Sequence, residues 1–460
     1  MNVVHAFRER IGGRVLTDDA TLERYSRDAS PFRVRPKAVV VAAVEEDVSA
    51  VVEICRDAEM ALTPRSGGTG LAGQSIGSGV VLDVGSLPRV VRVAADGERV
   101  TASASATVDA VNGALEAFGR RLGPDLTSSD RARVGGIVAT NACGATSHRY
   151  GRAADTLEAV EAVLGTGERR RFEAIPPATG TGGLARAPSG FAQDGLCGSE
   201  GALGVVLEAT FRTVPAEPAA VGVLAFEEVR AAVEAVPALL ERGPHAVELM
   251  DRLALRSLWP DDPAALLVVE TRASTEAEAE SAFWDLRVPG AVVDTGLDVS
   301  ARRAAWGLRR SVLAELLPAD GRRPVALVED GCVPVERLGE LVSGVEAMAA
   351  RHSVEVVFYG HAAAGVLHLR PLLNLALEEH RRAAVALVAD HADLVLSLGG
   401  TLSSEHGWGL ARSWLAPREM SSATLERWRR LKAEMDPAGI MNPGRVLPDR
   451  ETFPVEYLSP

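Results

Sequence analysis

The residues best equipped for chemistry lie late in the chain. His361 and His368 stand seven apart in GHAAAGVLH, and Glu405 and His406 are adjacent in SSEHGWG. Imidazole nitrogens and a carboxylate oxygen are good ligands for a divalent cation, and a fourth group of this kind beside them can move a proton. Three of the chain's nine histidines fall in these two glycine-flanked loops, a concentration that an apolar core does not explain. On one straight strand, residues seven apart point to opposite faces, so the two imidazoles converge only if AAAG turns the chain between them. VEVVFYG therefore reads as a strand ending at His361 and VLHLR as the start of the next. A helix ending at LVLSLGG then delivers Glu405 and His406 on a loop. The competing reading makes the histidines hydrogen-bonded core residues and Glu405 a cap.

Glycine-rich segments earlier in the chain are the second chemical signal. PRSGGTGLAGQ occupies residues 64–74, GPDLTSSDRARVGGIVATNACG residues 123–144 with RYG following, and DGLCGSEGALGVV residues 194–206. Glycine lets backbone N–H groups wrap an anion that side chains would obstruct, so the first loop reads either as a phosphate cradle or as a structural turn. It carries neither the GK[ST] of a P-loop nor a GxGxxG opening a helix. Three such loops in one region make a cofactor site the stronger reading.

The elements that must position these residues alternate between helix and strand. KAVVVAA reads as a strand, and EEDVSAVVEICRDAEM as the next helix from its apolar spacing and acidic start. VVLDVGSL and RVVRVAADGERVTASASAT read as further strands, and a second mixed region runs through TLEAVEAVLGTGERRRF to about residue 215. There the texture changes to long alanine-rich helices, beginning with AEPAAVGVLAFEEVRAAVEAVPALL, alternating with strands such as ALLVVE. ATLERWRRLKAEMDP is a closing helix that leads into an Asn-Pro-Gly turn.

Composition bounds the function. At 460 residues the chain exceeds one ordinary core, so two domains are expected. A formal net charge of −13 argues against nucleic-acid binding. No apolar run approaches the roughly 20 residues that cross a bilayer, and MNVVHAFRERIGGR has charges where a signal peptide needs an apolar core. A cytoplasmic location is therefore expected, with association at a membrane surface left open. Cys55, Cys143, Cys197 and Cys332 are scattered without a CxxC, which excludes a cysteine-ligated cluster and predicts reduced thiols.

Taken in order, PRSGGTGLAGQ, PDLTSSDRARVGGIVATNACG with RYG, and GSEGALGVV resemble the PCMH-type FAD-binding domain of the vanillyl-alcohol oxidase superfamily. GHAAAGVLH, GGTLSSEHGWG and MDPAGIMNPGR resemble its D-lactate dehydrogenase, D-2-hydroxyglutarate dehydrogenase and glycolate oxidase D-subunit branch. PVALVEDGCVP looks like a strand of that branch's substrate domain, and AWGLRR like its Trp-x-x-Arg helix. The resemblance implies an α+β fold: a two-subdomain FAD-binding domain over 1–215, an α/β cap with an antiparallel sheet and flanking helices over 216–420, and a segment over 421–460 returning to the first domain.

It also implies residue roles. Backbone at Arg65, Ser66, Gly67, Gly68, Thr69 and Gly70 would cradle the FAD pyrophosphate. Asp125, Ser128, Gly135, Gly136, Val138, Asn141 and Gly144 would border flavin and ribityl chain, Glu200, Gly201 and Val206 the adenosine side, and Asn442 the flavin again. Relatives with covalent flavin carry histidine after the Gly-Gly pair where Thr69 stands, so FAD is expected to be non-covalent. His361, His368 and Glu405 would bind zinc, manganese or iron, with His406 the general base. Arg309 and Arg370 are candidate clamps for a substrate carboxylate. Relatives usually carry Gly-Asp-Gly-Asn between the histidines, where this chain has Ala363, Ala364, Gly365 and Val366, and many have asparagine at the position of Arg370. Variants of the HAxxGxLHxRP type occur in relatives fused to an iron–sulfur domain.

The implied activity is FAD-dependent, metal-assisted oxidation of a D-2-hydroxy acid. Two alternatives stand beside it: an FAD subunit that works only with a separate iron–sulfur partner, and a non-redox flavoenzyme such as the ether-lipid synthases. Substrate side chain, electron acceptor and oligomeric state leave no short motif, and a homodimer is left open.

Overall fold

A computed structural model describes residues 3–173, 196–255, 263–286, 292–294, 306–307 and 320–459. Of four sheets among them, three carry the architecture, the fourth being the short pair Arg120–Arg121 with Val214–Pro215. The first has the order Arg14–Leu16, Ala38–Val41, Val80–Asp83, Leu62–Arg65. Its last three strands are parallel, the first pairs antiparallel. Ala38–Val41 is buried at every position, as a parallel strand covered on both faces must be. The helix Glu45–Asp57 covers one face, burying Val48, Val51, Val52, Ile54 and Cys55. Asp47 ties its start to the preceding chain and to a distant loop, accepting from Ala43 N at 2.8 Å and from Gly12 N at 2.7 Å. This is the strand and helix expected of KAVVVAA and EEDVSAVVEICRDAEM.

The second sheet is antiparallel, in the order Val91–Val93, Arg99–Ser103, Gly204–Arg212, Leu157–Leu164, Arg169–Glu173. The helix Val134–Thr140 packs against its central strand Gly204–Arg212. The third sheet is also antiparallel and has seven strands: Val292–Asp294, Ala219–Phe226, Ala265–Arg272, Ala246–Asp251, Val356–His361, His368–Leu373, Arg323–Pro324. Helices Leu338–His352 and Glu378–Ser397 pack on each other beside it. Mixed helix and antiparallel sheet make this an α+β fold, as expected.

Two expectations need correction. AEPAAVGVLAFEEVRAAVEAVPALL is not one long helix: Ala219–Phe226 is a strand, followed by short helices Val229–Glu234 and Val236–Leu240. Its register from Ala219↔Arg272 to Phe226↔Ala265 places it between two partners, and Gly222 leaves room for the Phe283 ring. Pairing overrode alanine's helix propensity. PVALVEDGCVP is likewise no continuous strand. Only Pro324 belongs to one, and the rest is irregular, with Asp330 in the left-handed region at φ +67°.

The end of the chain returns to the first sheet. After the helix Ser422–Met435, capped by Ser421 Oγ accepting from Thr424 N at 3.1 Å, the backbone runs beside Leu62–Arg65. Leu62 N donates to Ile440 O and Asn442 N to Leu62 O, both at 2.8 Å. No helix among the described residues is long and apolar enough to cross a membrane. All four cysteines are free and buried.

Candidate active site

A cavity of about 930 Å³ runs between the glycine loops and the third sheet. Arg65, Ser66, Gly67, Gly68, Thr69, Gly70, Ser128, Gly135, Gly136, Gly144, Glu200, Gly201 and Val206 line one side. Tyr359, His361, His368, Arg370, Glu405 and His406 line the other. Two glycines are obligatory for this shape. A Cβ on Gly67 would lie 2.6 Å from Arg131 O, and Gly68, at φ +65°, would bring one within 2.5 Å of Arg65 Nη2. The loop thereby turns backbone toward the cavity, which fits an extended, phosphate-bearing cofactor.

Asp125, Val138, Asn141 and Asn442 do not border the cavity. Asp125 directs its carboxylate toward Arg121 (3.7 Å) and Arg272 (3.9 Å), while Gly144 packs on its carbonyl. Val138 is buried in the helix Val134–Thr140, and Asn141 caps that helix at φ +51°, its Oδ1 accepting from Ala154 N. Asn442 Nδ2 donates to Gln74 O at 2.9 Å and Glu200 O at 2.6 Å, tying the terminal turn to two glycine loops. Glu200 lines the cavity, yet its carboxylate accepts from Trp408 N and Gly409 N and so anchors the SSEHGWG loop. Arg309 lies outside the described residues. Trp306 of the same segment donates from Nε1 to Glu270 Oε2 at 3.0 Å.

The histidine loops fold as their spacing requires. His361 ends a strand, Ala362–Ala364 form a short 3-10 turn, Gly365 takes φ +73°, and His368 opens the next strand. The substituted residues between the histidines do not line the cavity. Ala364 and Val366 pack with Cys332, and Gly365 leaves room for Val333 O. Only Arg370 carries the departure from the usual pattern into the cavity.

His361, His368 and Glu405 offer ligand atoms within 4.8 Å of one another. Glu405 Oε1 lies 3.0 Å from His368 Nε2 and 3.4 Å from His361 Nε2, yet accepts no well-directed hydrogen bond. A buried carboxylate oxygen facing two imidazole nitrogens without a well-directed hydrogen bond fits a cation between them. Two other sets overlap this one, Glu329 with His368 and His406, and Asp330 with Glu405 and His406. Their carboxylates are more heavily engaged, although Glu329 Oε2, like Glu405 Oε1, accepts no well-directed hydrogen bond. Asp330 accepts from Ser403 Oγ, Ser404 Oγ, Glu405 N and His406 N, and Glu329 is held by Arg370 and His406.

The charge environment sorts the three histidines. Burial alone would push His361 down, but Glu248, 2.6 Å from its Nδ1, and Glu405 lift it to about 10. Burial pulls His368 down to about 4, which keeps it neutral and able to coordinate. His406 is raised: burial opposes its charge, but Glu329, Glu405 and Asp330 outweigh it. Burial would raise Glu405, yet His361 and His406 hold it well below the usual carboxylate range.

Sequence reasoning missed the groups behind these residues. Glu248 orients His361, Glu329 orients His406 and Arg370, and Tyr359 accepts from Arg370 Nε at 2.9 Å. The signal was present: Glu248 interrupts the apolar strand AVELMD, and a carboxylate in a fully buried strand requires a partner.

The FAD linked oxidase C-terminal domain matches residues 216–446, and an FAD binding domain matches residues 36–173. The chain belongs to the FAD-linked oxidases and is an FAD-binding oxidoreductase. Among its relatives is glycolate oxidase subunit GlcD of Bacillus subtilis (strain 168), 27% identical over 95% of each chain. Another is D-2-hydroxyglutarate dehydrogenase of Pantoea ananatis (strain AJ13355), 26% identical over 94% of this chain and 50% of the relative, so the chain spans half its length. The fold of p-cresol methylhydroxylase superposes with a TM-score of 0.77 at 17% identity, over 97% of this chain and 96% of that one.

Proposed function

We propose that the protein is an FAD-dependent, divalent-metal-assisted dehydrogenase that oxidises a D-2-hydroxy acid of the D-lactate, glycolate or 2-hydroxyglutarate type to the 2-oxo acid. The observation carrying this reading is the convergence of His361, His368 and Glu405 beside His406 on one wall of a glycine-lined cavity. The substrate class comes from relatives named for glycolate oxidation and D-2-hydroxyglutarate dehydrogenation.

Residues 65–70, Ser128, Gly135, Gly136, Gly144, Gly201 and Val206 would hold FAD, without a covalent bond since Thr69 offers no imidazole. When bound, FAD supplies a two-electron acceptor, and a divalent cation supplies a Lewis acid for the substrate hydroxyl. His361, His368 and Glu405 would hold the cation. Arg370 pairs with the substrate carboxylate through Nη1, which lacks a hydrogen-bond partner among the described residues although the side chain is 1% exposed. His406 keeps Nδ1 on Glu329 at 3.0 Å, which leaves Nε2 to accept the hydroxyl proton as the C2 hydrogen departs with its electron pair.

An anaerobic screen of D- and L-2-hydroxy acids, with and without chelator, tests the reading by bleaching of the bound flavin. A D-2-hydroxy acid is expected to reduce it only without chelator. No reduction by any hydroxy acid refutes the proposal. A second reading, favoured by a relative itself named a glycolate oxidase subunit, makes the chain an FAD-binding subunit that works with a separate iron–sulfur partner. In that case turnover, but not the first flavin reduction, requires the partner.

A further inference from the structure

Glu329 is 1% exposed and lies within 4.0 Å of four cationic or proton-bearing side chains at the cavity wall. Oε1 lies 3.0 Å from His406 Nδ1 and 3.6 Å from Arg412 Nη1. Oε2 lies 2.8 Å from Arg370 Nη2 and 4.0 Å from His368 Nδ1. The next residue, Asp330, accepts from both backbone and side chains of residues 403–406, so the Glu329–Asp330 pair addresses ring and backbone of the same loop.

We infer that Glu329 is the positioning residue of this site, holding His406 in the tautomer with its proton on Nδ1 while aiming Arg370. Two donors of different kinds make this a specific requirement. Arg370 is donor-only and always charged, whereas neutral His406 can present Nδ1 either as donor or as acceptor. The carboxylate ion-pairs with Arg370 through Oε2 and faces His406 Nδ1 through Oε1, where it can only accept, which puts the proton on Nδ1 and leaves Nε2 basic. An amide has one oxygen. In Glu329→Gln the oxygen must turn to Arg370, the NH₂ then faces His406 Nδ1, and the ring inverts to carry its proton on Nε2.

The kinetic consequence rests on the function proposed above; the tautomer does not. ¹⁵N-histidine-labelled FAD holoenzyme, recorded over a pH series to the plateau at which the ring signals cease to move, reports which nitrogen of neutral His406 is protonated, with His406→Asn assigning the signal. Wild type is expected to carry the proton on Nδ1 and Glu329→Gln on Nε2. Stopped-flow flavin reduction should then fall about 100-fold or more, the range lost with a general base, while the Kd for the hydroxy acid changes less than about threefold because Arg370 stays held. A merely structural role would instead weaken reduction, substrate affinity and FAD retention together. If Glu329→Gln fails to fold around Arg370, Glu329→Gln/Arg370→Met removes the cation, frees the amide oxygen for His406 and should restore the Nδ1 tautomer. An unchanged tautomer in Glu329→Gln, or an Nε2 proton in wild type or in the double variant, overturns the inference. Tautomer inversion with no hydroxy acid reducing the wild-type flavin would refute the proposed substrate class and leave the role of Glu329 standing.

Discussion

Replacing Arg370 by lysine isolates the substrate clamp from the buried charge balance. The guanidinium makes two committed contacts, Nη2 to Glu329 Oε2 at 2.8 Å and Nε to Tyr359 Oη at 2.9 Å, leaving Nη1 for a ligand. Lysine has one nitrogen, and Glu329 holds it, because leaving a buried carboxylate without its partner costs about 3–5 kcal/mol. Nothing then remains for the substrate. One charge-assisted hydrogen bond contributes about 1.5–3 kcal/mol, so the Kd for the hydroxy acid should weaken roughly 10- to 150-fold at about 1.4 kcal/mol per decade. The limiting rate of flavin reduction should change less than about fivefold, since His406 and the three ligands are untouched. Anaerobic stopped-flow reduction at increasing substrate gives both quantities, and the flavin spectrum confirms cofactor content. A Kd within about threefold of wild type, with full FAD content, would show that Arg370 is not the clamp.

Other outcomes follow from the same geometry. His368→Ala, or chelation of the wild type, should abolish bound divalent metal measured by elemental analysis and lower flavin reduction about 100-fold or more; full activity in both sinks the metal role. Gly68→Ala must place a side chain at φ +65° against Arg65, at about 1–2 kcal/mol, and should lower FAD affinity and thermal stability together, as read by flavin fluorescence and melting. Burial, reinforced by Arg412 against a weaker opposing pull from Glu329, lowers buried His391 from 6.5 to about 4. The folded state therefore resists a proton that the unfolded chain accepts. This stability is present above pH 6.5, is lost as pH falls through about 4, and amounts to about 3 kcal/mol. His391→Leu should flatten the acid limb of a denaturation series; an unchanged limb refutes the assignment.

Local chemistry was legible where residue type alone dictates conformation. The glycine loop at 64–74 and the turn between His361 and His368 were readable because few residues tolerate those backbones. The helix Glu45–Asp57 was readable from its apolar face and acidic first turn. By contrast, Ala219–Phe226 was misread because alanine and valine suit either state, and the choice came from strands whose paired residues lie 39 or more positions away. Asn141 and Asn442 were assigned to the cofactor, although their amides serve the backbone. A motif marks that a residue matters without saying which neighbour it addresses.

Residue identity by itself determined that this chain carries two imidazoles, a carboxylate and a spare imidazole in loops that can meet, beside glycine loops suited to a phosphate-bearing cofactor. That much follows from side-chain chemistry and backbone tolerance, both local properties. Only the tertiary structure decided which carboxylates stand behind the histidines, that Ala363, Ala364 and Val366 face away from the cavity, and that Arg370 faces into it. Glu248 and Glu329 come to the site from positions 113 and 77 residues away from their histidine partners. Contacts at that separation depend on which strands pair and in what register, and no stretch of the chain encodes them alone.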